Sequence, residues 1–149
     1  MVQLHEMPVH DLDAWTARIW PLYRDELIRS GISESAADAD IQRNLESTYI
    51  DGRLAPGNFV FQVLHDNLIV GVVWLNEDDG EWFIYDIEIY EEFRGQGLGR
   101  KTMKAIENHV RLHDGKEIRL SVFGFNTAAQ NLYKSQGYET VRLAMRKKL

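Results

Sequence analysis

Tyr85-Asp86-Ile87-Glu88-Ile89-Tyr90-Glu91-Glu92-Phe93-Arg94-Gly95-Gln96-Gly97-Leu98-Gly99-Arg100 is the stretch on which the reading of the fold turns. Trp82 to Tyr90 is dense in aromatic and β-branched residues, which predicts a strand. Gly95 to Gly99 carries little side-chain bulk, and apolar residues then recur at helical spacing at Leu98, Met103, Ile106 and Val110. A strand feeding a glycine loop at a helix start builds an anion site. Glycine lets the backbone approach a ligand, the first N–H groups of the helix have no partner within it, and the positive end of the helix dipole lies there. Arg94 and Arg100 flank the loop and add positive charge. Phosphate or pyrophosphate is the ligand that fits.

The spacing separates this loop from other phosphate loops. No Gly-Lys-Ser/Thr follows, so it is not a P-loop. The glycines run Gly-x-Gly-x-Gly, not the Gly-x-Gly-x-x-Gly of dinucleotide folds. Arg94-Gly95-Gln96-Gly97-Leu98-Gly99 resembles the Gln/Arg-x-x-Gly-x-Gly/Ala signature of the GNAT superfamily of N-acetyltransferases, whose loop holds the pyrophosphate of acetyl-coenzyme A. Asn126-Thr127-Ala128-Ala129-Gln130-Asn131-Leu132-Tyr133-Lys134-Ser135-Gln136-Gly137-Tyr138 is similar to that superfamily's later Asn-x-x-Ala-x-x-Leu-Tyr-x-x-x-Gly-Phe/Tyr motif. The two blocks stand in the superfamily's order, with a helix and a strand between them.

Composition bounds the alternatives. The 149 residues suit one domain spanning 1–149 with a proper core. A net charge of −6 argues against a general nucleic-acid or anionic-membrane surface and suits a cationic or amine substrate. There is no cysteine, hence no disulfide and no cysteine nucleophile. The N-terminus carries no secretory pattern and no apolar run is long enough to span a bilayer, so the expected location is cytoplasmic.

Along the chain, Val2 to Glu6 reads as a first strand. Asp11 is placed to cap a helix from Leu12 to Ser30, with Leu12, Trp15, Ile19, Leu22 and Tyr23 as its apolar stripe and a kink or break expected at Pro21. Ser33 caps a second helix running to Ile50. Leu54 to Gly57 reads as an exposed loop. Strands follow at Asn58–Leu64 and Leu68–Leu75, joined at Asp66-Asn67, with Gly71 marking a bulge or close backbone approach. After the glycine-loop helix come a strand from Glu117 to Phe123, a short helix from Thr127 to Gln136, and a last strand from Tyr138 to Arg146 with Val141, Leu143 and Met145 on one face. This order matches the GNAT fold, an α/β (α+β mixed) architecture. The resemblance implies a mixed, mostly antiparallel twisted sheet of six to seven strands flanked by four helices and splayed between the fourth and fifth strands.

The resemblance also implies roles. The pantetheine arm of acetyl-coenzyme A would lie in the splay and pair with the backbone of Ile87, Glu88 and Ile89, whose N–H groups could polarise the thioester carbonyl; Ile87 and Ile89 are equally good core residues. Arg94, Gly95, Gln96, Gly97, Leu98, Gly99 and Arg100 would hold the pyrophosphate, mainly through backbone N–H groups, so that the side chains of Gln96, Leu98 and Arg100 should tolerate change better than the glycines. Tyr133 matches the tyrosine that acts as general acid at the departing sulfur. Asn126 matches a residue on the pantetheine arm, and is also a fitting helix N-cap.

For the base, strand alternation puts Asp86 and Glu88 on one face, the substrate side, with Ile87 and Ile89 toward the packed helix. Either carboxylate could take the proton directly or through water, or simply bind a cationic substrate. Ser121 stands where the ribosomal-protein acetyltransferases have a catalytic glutamate, a departure from that subgroup. His109 and His113 have metal-ligand spacing, but a helix C-terminus also favours histidine, and no metal is expected. The implied function is direct transfer of acetyl from acetyl-coenzyme A to a primary amine of a small molecule, peptide or protein. An acyl-coenzyme A-binding sensor without catalysis is the alternative. A second copy of the chain is a candidate partner, because homodimers are frequent in the superfamily.

Overall fold

A computed structural model describes all residues, 1–149. Its main sheet is built from β1 (Val2–Glu6), β4 (Asn58–His65), β5 (Leu68–Asp78), β6 (Glu81–Ile89) and β7 (Ile118–Leu120) in the order β1-β4-β5-β6-β7. The first three pairings are antiparallel and β6–β7 is parallel, so the sheet is mixed and mostly antiparallel. A two-stranded hairpin of β2 (Tyr49–Ile50) and β3 (Arg53–Leu54) stands apart from it. Four helices flank the sheet: α1 (Val9–Arg29), α2 (Glu34–Thr48), α3 (Leu98–Leu112) and α4 (Thr127–Ser135). No helix is long and apolar enough to cross a membrane.

The core has two halves, one on each face of the sheet. Under α3, Phe61, Val63, Val73, Leu75, Trp82 and Ile84 meet Leu98, Met103, Ile106 and Val110, the helical repeat read from the sequence. Under α1 and α2, Met7, Val60, Val72 and Trp74 meet Trp15 and Trp20, with Trp74 edge-on to both tryptophans. Burying large aromatic rings edge-to-face adds roughly 0.5–1.5 kcal/mol per pair beyond the area they remove from water.

Several local expectations hold. Ser33 Oγ accepts from Ala36 N at 3.2 Å and caps α2. Asp66 and Asn67 both adopt left-handed φ and close the β4–β5 hairpin. Gly71 lies against the Glu88 carbonyl, where a Cβ would collide with backbone.

Others need correcting. Pro21 does not split α1, which runs unbroken for 21 residues and starts after Pro8 without a side-chain cap, so Asp11 is inside the helix. The tryptophans and Leu27 that bury this helix on the sheet outweigh the one backbone hydrogen bond that proline removes. Leu22, assigned to the apolar stripe, is 44% exposed. The loop at Leu54–Gly57 begins in β3, and Ala55 within it is buried. β7 is three residues long rather than seven. The last strand, Tyr138–Arg146, is not formed: apart from Tyr138 N donating to the Tyr133 carbonyl, no backbone hydrogen bond ties this segment down. It is extended-patterned chain without a neighbour to pair with, and a strand needs a partner as well as a pattern.

Two irregularities position the site. The β6–β7 pairing is only Trp82–Ile118, Phe83–Arg119 and Ile84–Leu120, so the fourth and fifth strands of the sheet separate beyond Ile84. At the same level, Trp74 pairs with Asp86 but Leu75 pairs with Ile84, leaving Tyr85 as an extra residue on β6. This bulge changes which residues face which side. Trp82 and Ile84 point to α3 before it and Ile87 and Ile89 after it, which sends Asp86 and Glu88 to the α1 side.

Candidate functional site

The glycine loop leaves β6 through a single 3-10 turn at Glu91–Phe93 and enters α3. Gly97 is the residue before the helix and has φ +72, and Gly95 has φ +76. Both are left-handed conformations that a side chain resists, which explains the glycines. Nothing lies within 4 Å of where a Cβ would stand on either, so the loop is open to a ligand. The first turn of α3 has no acidic residue to neutralise its positive end. Gly99 has a different role: a Cβ there would press on Leu132 of α4 at 3.3 Å, so this glycine lets α4 approach the start of α3.

The flanking side chains divide. Arg94 Nε donates to the Ile89 carbonyl at 2.9 Å, tying the loop to the end of β6. Gln96 and Arg100 are exposed. Leu98 is 2% exposed in the α3 core, so its side chain cannot be exchanged freely, contrary to the sequence reading. The backbone of Ile87, Glu88 and Ile89 borders the split between β6 and β7, and the Ile87 and Ile89 side chains pack on the α3 core.

On the α1 side of β6, the two carboxylates have opposite surroundings. Glu88 is held by Arg18 from α1 in a bidentate pair, Nη1–Oε1 at 3.1 Å and Nη2–Oε2 at 2.6 Å. Asp86 has no such partner, and its Oδ2 is sealed from solvent without a hydrogen bond. Burial, reinforced by the negative charges of Glu88 and Glu26 and only partly offset by Arg18, pushes the Asp86 carboxyl up to about 7. Glu26, from the second half of α1, is itself raised by burial.

Tyr133 packs from α4 on the same core under α3 that Ile87 and Ile89 pack against. Burial first, and then the Asp86 charge, push its phenol up to about 12. Asp86 and Tyr133, 47 positions apart in sequence, thus share one electrostatic environment at the split. Asn126 caps α4, its Oδ1 accepting from Ala129 N at 3.1 Å. Ser121 is exposed beyond the end of β7. His109 lies against Phe61 and Trp82, with the His113 ring tilted against it at a centroid distance of 4.3 Å, and no group of three metal-ligating side chains occurs.

Arg18 and Glu26 were missed by sequence reasoning. Each lies beside the apolar stripe of α1, and a charge at the edge of such a stripe is the only signal the sequence offers for them. Two half-open pockets, about 190 and 320 Å³, lie away from the split, against Glu81 and Trp82 and against Trp74 and Tyr85 respectively. The split is an open cleft, and its chemistry rather than its volume marks it.

Comparison with known proteins bears on this cleft. The family model described as the acetyltransferase (GNAT) family matches residues 12–138. The uncharacterized N-acetyltransferase YdgE of Bacillus subtilis (strain 168) is 27% identical over 152 residues, covering 98% of this chain and 97% of its own. Among solved structures, the acetyltransferase YycN from Bacillus subtilis superposes with a TM-score of 0.90 at 24% identity, over 100% of this chain and 99% of that one. The aminoglycoside enzyme AAC(6')-Iy, solved with the bisubstrate analog CoA-S-monomethyl-acetylneamine, superposes with a TM-score of 0.59 at 17% identity, over 100% and 98%.

Proposed function

The chain belongs to the GNAT acetyltransferase family, and from that membership we propose that it transfers acetyl from acetyl-coenzyme A to a primary amine on a cationic small molecule or peptide. The observation that carries this reading is the pair Asp86 and Glu88: one carboxyl without a cation paired to it and raised to about 7, the other neutralised by Arg18.

The chain's own residues supply the parts that amine acetylation needs. The open loop at Gly95–Gly99 and the start of α3 suit the pyrophosphate, and the free side of β6 at Ile87–Ile89 suits the pantetheine arm. Asn126 adjoins that arm in this reading while keeping its capping bond. An ammonium entering the cleft is drawn by Asp86 and Glu26. Asp86 takes its proton, because a base with a pKa near the working pH is both deprotonated often enough and basic enough to act. Glu88 is the positioning partner of Arg18 instead of a second base. The neutral nitrogen then bonds to the acetyl carbon, the carbon–sulfur bond breaks, the sulfur leaves with its electron pair, and the proton shed by the acylated nitrogen neutralises the departing thiolate. Tyr133, with its phenol raised to about 12, keeps its proton at neutral pH and offers it to that sulfur as a hydrogen bond. No covalent enzyme intermediate is invoked, in keeping with a chain that has no cysteine.

The test is a calorimetric titration with acetyl-coenzyme A, followed by a screen of diamines, polyamines, aminoglycosides and lysine peptides for released thiol. Binding with turnover that favours acceptors bearing a second positive charge is expected. Binding without turnover on any amine would favour a sensor, and no binding would remove the reading altogether.

A further inference from the structure

We propose that the acceptor is a free basic α-amino acid, of which lysine and ornithine are the simplest, with its carboxylate on Arg29, its α-ammonium on Glu26 and its side-chain amine at Asp86. The reaction rests on the acetyl transfer proposed above; the binding site stands on contacts of its own. Tyr23, Glu26 and Arg29 follow one another at intervals of three along α1 and so share a face, with about 5–6 Å between neighbouring Cβ atoms. Of the three arginines of α1, Arg18 is held by Glu88 and Arg24 by Asp38, Nε–Oδ1 at 2.6 Å. Arg29 makes no hydrogen bond and no ion pair; its guanidinium lies over the Phe125 ring, 4.2 Å from the centroid. Stacking fixes the plane of a guanidinium and leaves its N–H edge uncommitted, the posture in which arginine takes a carboxylate by two parallel hydrogen bonds. A cation in the last turn also favours the helix itself, but the Ser30 carbonyl at the end of α1 is already met by Arg146.

The surface facing this helix is the loop between β7 and α4. Phe123 and Phe125 stack there with centroids 5.2 Å apart and ring planes 8° from parallel. Gln130 Nε2 donates to the Phe123 carbonyl at 3.2 Å and to the Gly124 carbonyl at 3.1 Å, which holds the loop in place. Tyr23 meets Phe123 at 6.3 Å between centroids. The shared face of α1 therefore touches the loop at both ends, Tyr23 on Phe123 and Arg29 on Phe125, and Glu26 lies between the two contacts.

An anion receptor and a cation receptor thus stand one helical turn apart, and the charge of Glu26 acts on Arg29 on one side and on Asp86 on the other. Two opposite charges on one carbon, the head of an α-amino acid, complement that pair. The methylenes of the side chain then run along the aromatic rings toward Asp86, whose Oδ2 is sealed from solvent without a hydrogen bond. A plain diamine brings no anion to Arg29, and an ω-amino acid brings no cation to Glu26; each leaves one receptor unmet. The side-chain ammonium gives one proton to Asp86 and, on acylation, a second to the thiolate, so the products are the Nω-acetyl amino acid and coenzyme A.

Three acceptors separate the contributions: lysine, cadaverine, which lacks the carboxylate, and 6-aminohexanoate, which lacks the α-amine. Thiol released from acetyl-coenzyme A gives kcat/KM for each, and saturation-transfer NMR gives their affinities for the protein without cofactor. Lysine is expected to lead both analogues by at least about tenfold in each measurement, the worth of one charged hydrogen bond. R29Q should bring lysine down toward cadaverine, and E26Q should bring it down toward 6-aminohexanoate. R29K, which keeps the charge without the fork, should recover only part of the lead. A merely structural change would lower all three acceptors together and leave their ratios as they were. Parity of lysine with either analogue in the unaltered protein, or ratios that R29Q and E26Q do not move, would overturn the amino-acid site; turnover of cadaverine in that case leaves acetyl transfer standing. Conversely, lysine binding that depends on Arg29 and Glu26, with no thiol released on any amine, supports the site and removes the acetyl transfer.

Discussion

Replacing Asp86 with asparagine should make the protein more stable and less active at once, by amounts that change with pH. The carboxyl moves from 3.8 to about 7 on folding, a displacement of about three logarithmic units. At about 1.36 kcal/mol per unit this is roughly 4 kcal/mol, a ceiling because water penetration softens buried charges. The sign follows from proton linkage. A raised folded-state pKa means the native protein holds the proton more tightly, so the contribution to stability is full below about pH 4 and is lost as pH rises to about 7. Above that, the native state carries an ionised carboxylate whose Oδ2 has no partner. Asparagine resembles the protonated acid in shape and is never charged. Thermal unfolding of both proteins between pH 5.5 and 8 tests this. About half of the titration window lies in that range, so the advantage of Asp86→Asn should widen by about 2 kcal/mol, worth about 4–8 °C for a chain of this size. Turnover should fall on the order of a hundredfold or more, the usual loss of a general base. A stability gap that does not vary with pH would show that Asp86 does not titrate in this window. Full turnover in the variant would remove Asp86 as the base, whatever the stability result.

Three other substitutions probe neighbouring parts. Arg18→Gln removes the positive charge that lowers the Asp86 pKa, so the rising acid limb of the kcat/KM profile should move to higher pH; an unmoved limb would mean that this limb does not report Asp86. Gly97→Glu puts a carboxylate and an unfavourable φ at the helix start, and calorimetry should show at least about a tenfold loss of acetyl-coenzyme A affinity, worth about 1.4 kcal/mol; unchanged affinity would refute the loop assignment. Tyr133→Phe deletes only a hydroxyl, so turnover should drop on the order of a hundredfold while calorimetric affinity for acetyl-coenzyme A holds; retained turnover would mean that the sulfur leaves without it.

The parts of the molecule readable from sequence are those governed by neighbours in the chain. The left-handed turn at Gly95 and Gly97, the 3.6-residue stripe of α3 and the Ser33 cap each depend on a few adjacent residues, and each is formed as read. Likewise, the separation of Asp86 and Glu88 from Ile87 and Ile89 follows from strand alternation alone. What escaped depends on distant contacts. Nothing near Glu88 announces Arg18, which comes from 70 positions away, and nothing near Asp86 announces Glu26. The burial of Asp86 and the Arg18 pair of Glu88 together make the two carboxylates different groups. The last strand failed for a related reason: its pattern is correct, but pairing is decided by the edge it meets, which a pattern does not contain. Pro21 was read by its local effect alone, whereas packing of α1 on the sheet holds the helix through it.

The extra residue at Tyr85 has a consequence for how this protein can change over generations. Deleting one residue from β6 near it would turn every side chain beyond the deletion to the opposite face of the sheet. Isoleucines would enter the cleft and two carboxylates would be driven into the core beneath α3. Substitutions along Asp86–Ile89 alter one side chain at a time and can be sampled singly; a change of length there alters all of them together. In a set of descendants, this strand should therefore vary in letters and never in count, while the β2–β3 hairpin, which carries no such phase, absorbs insertions.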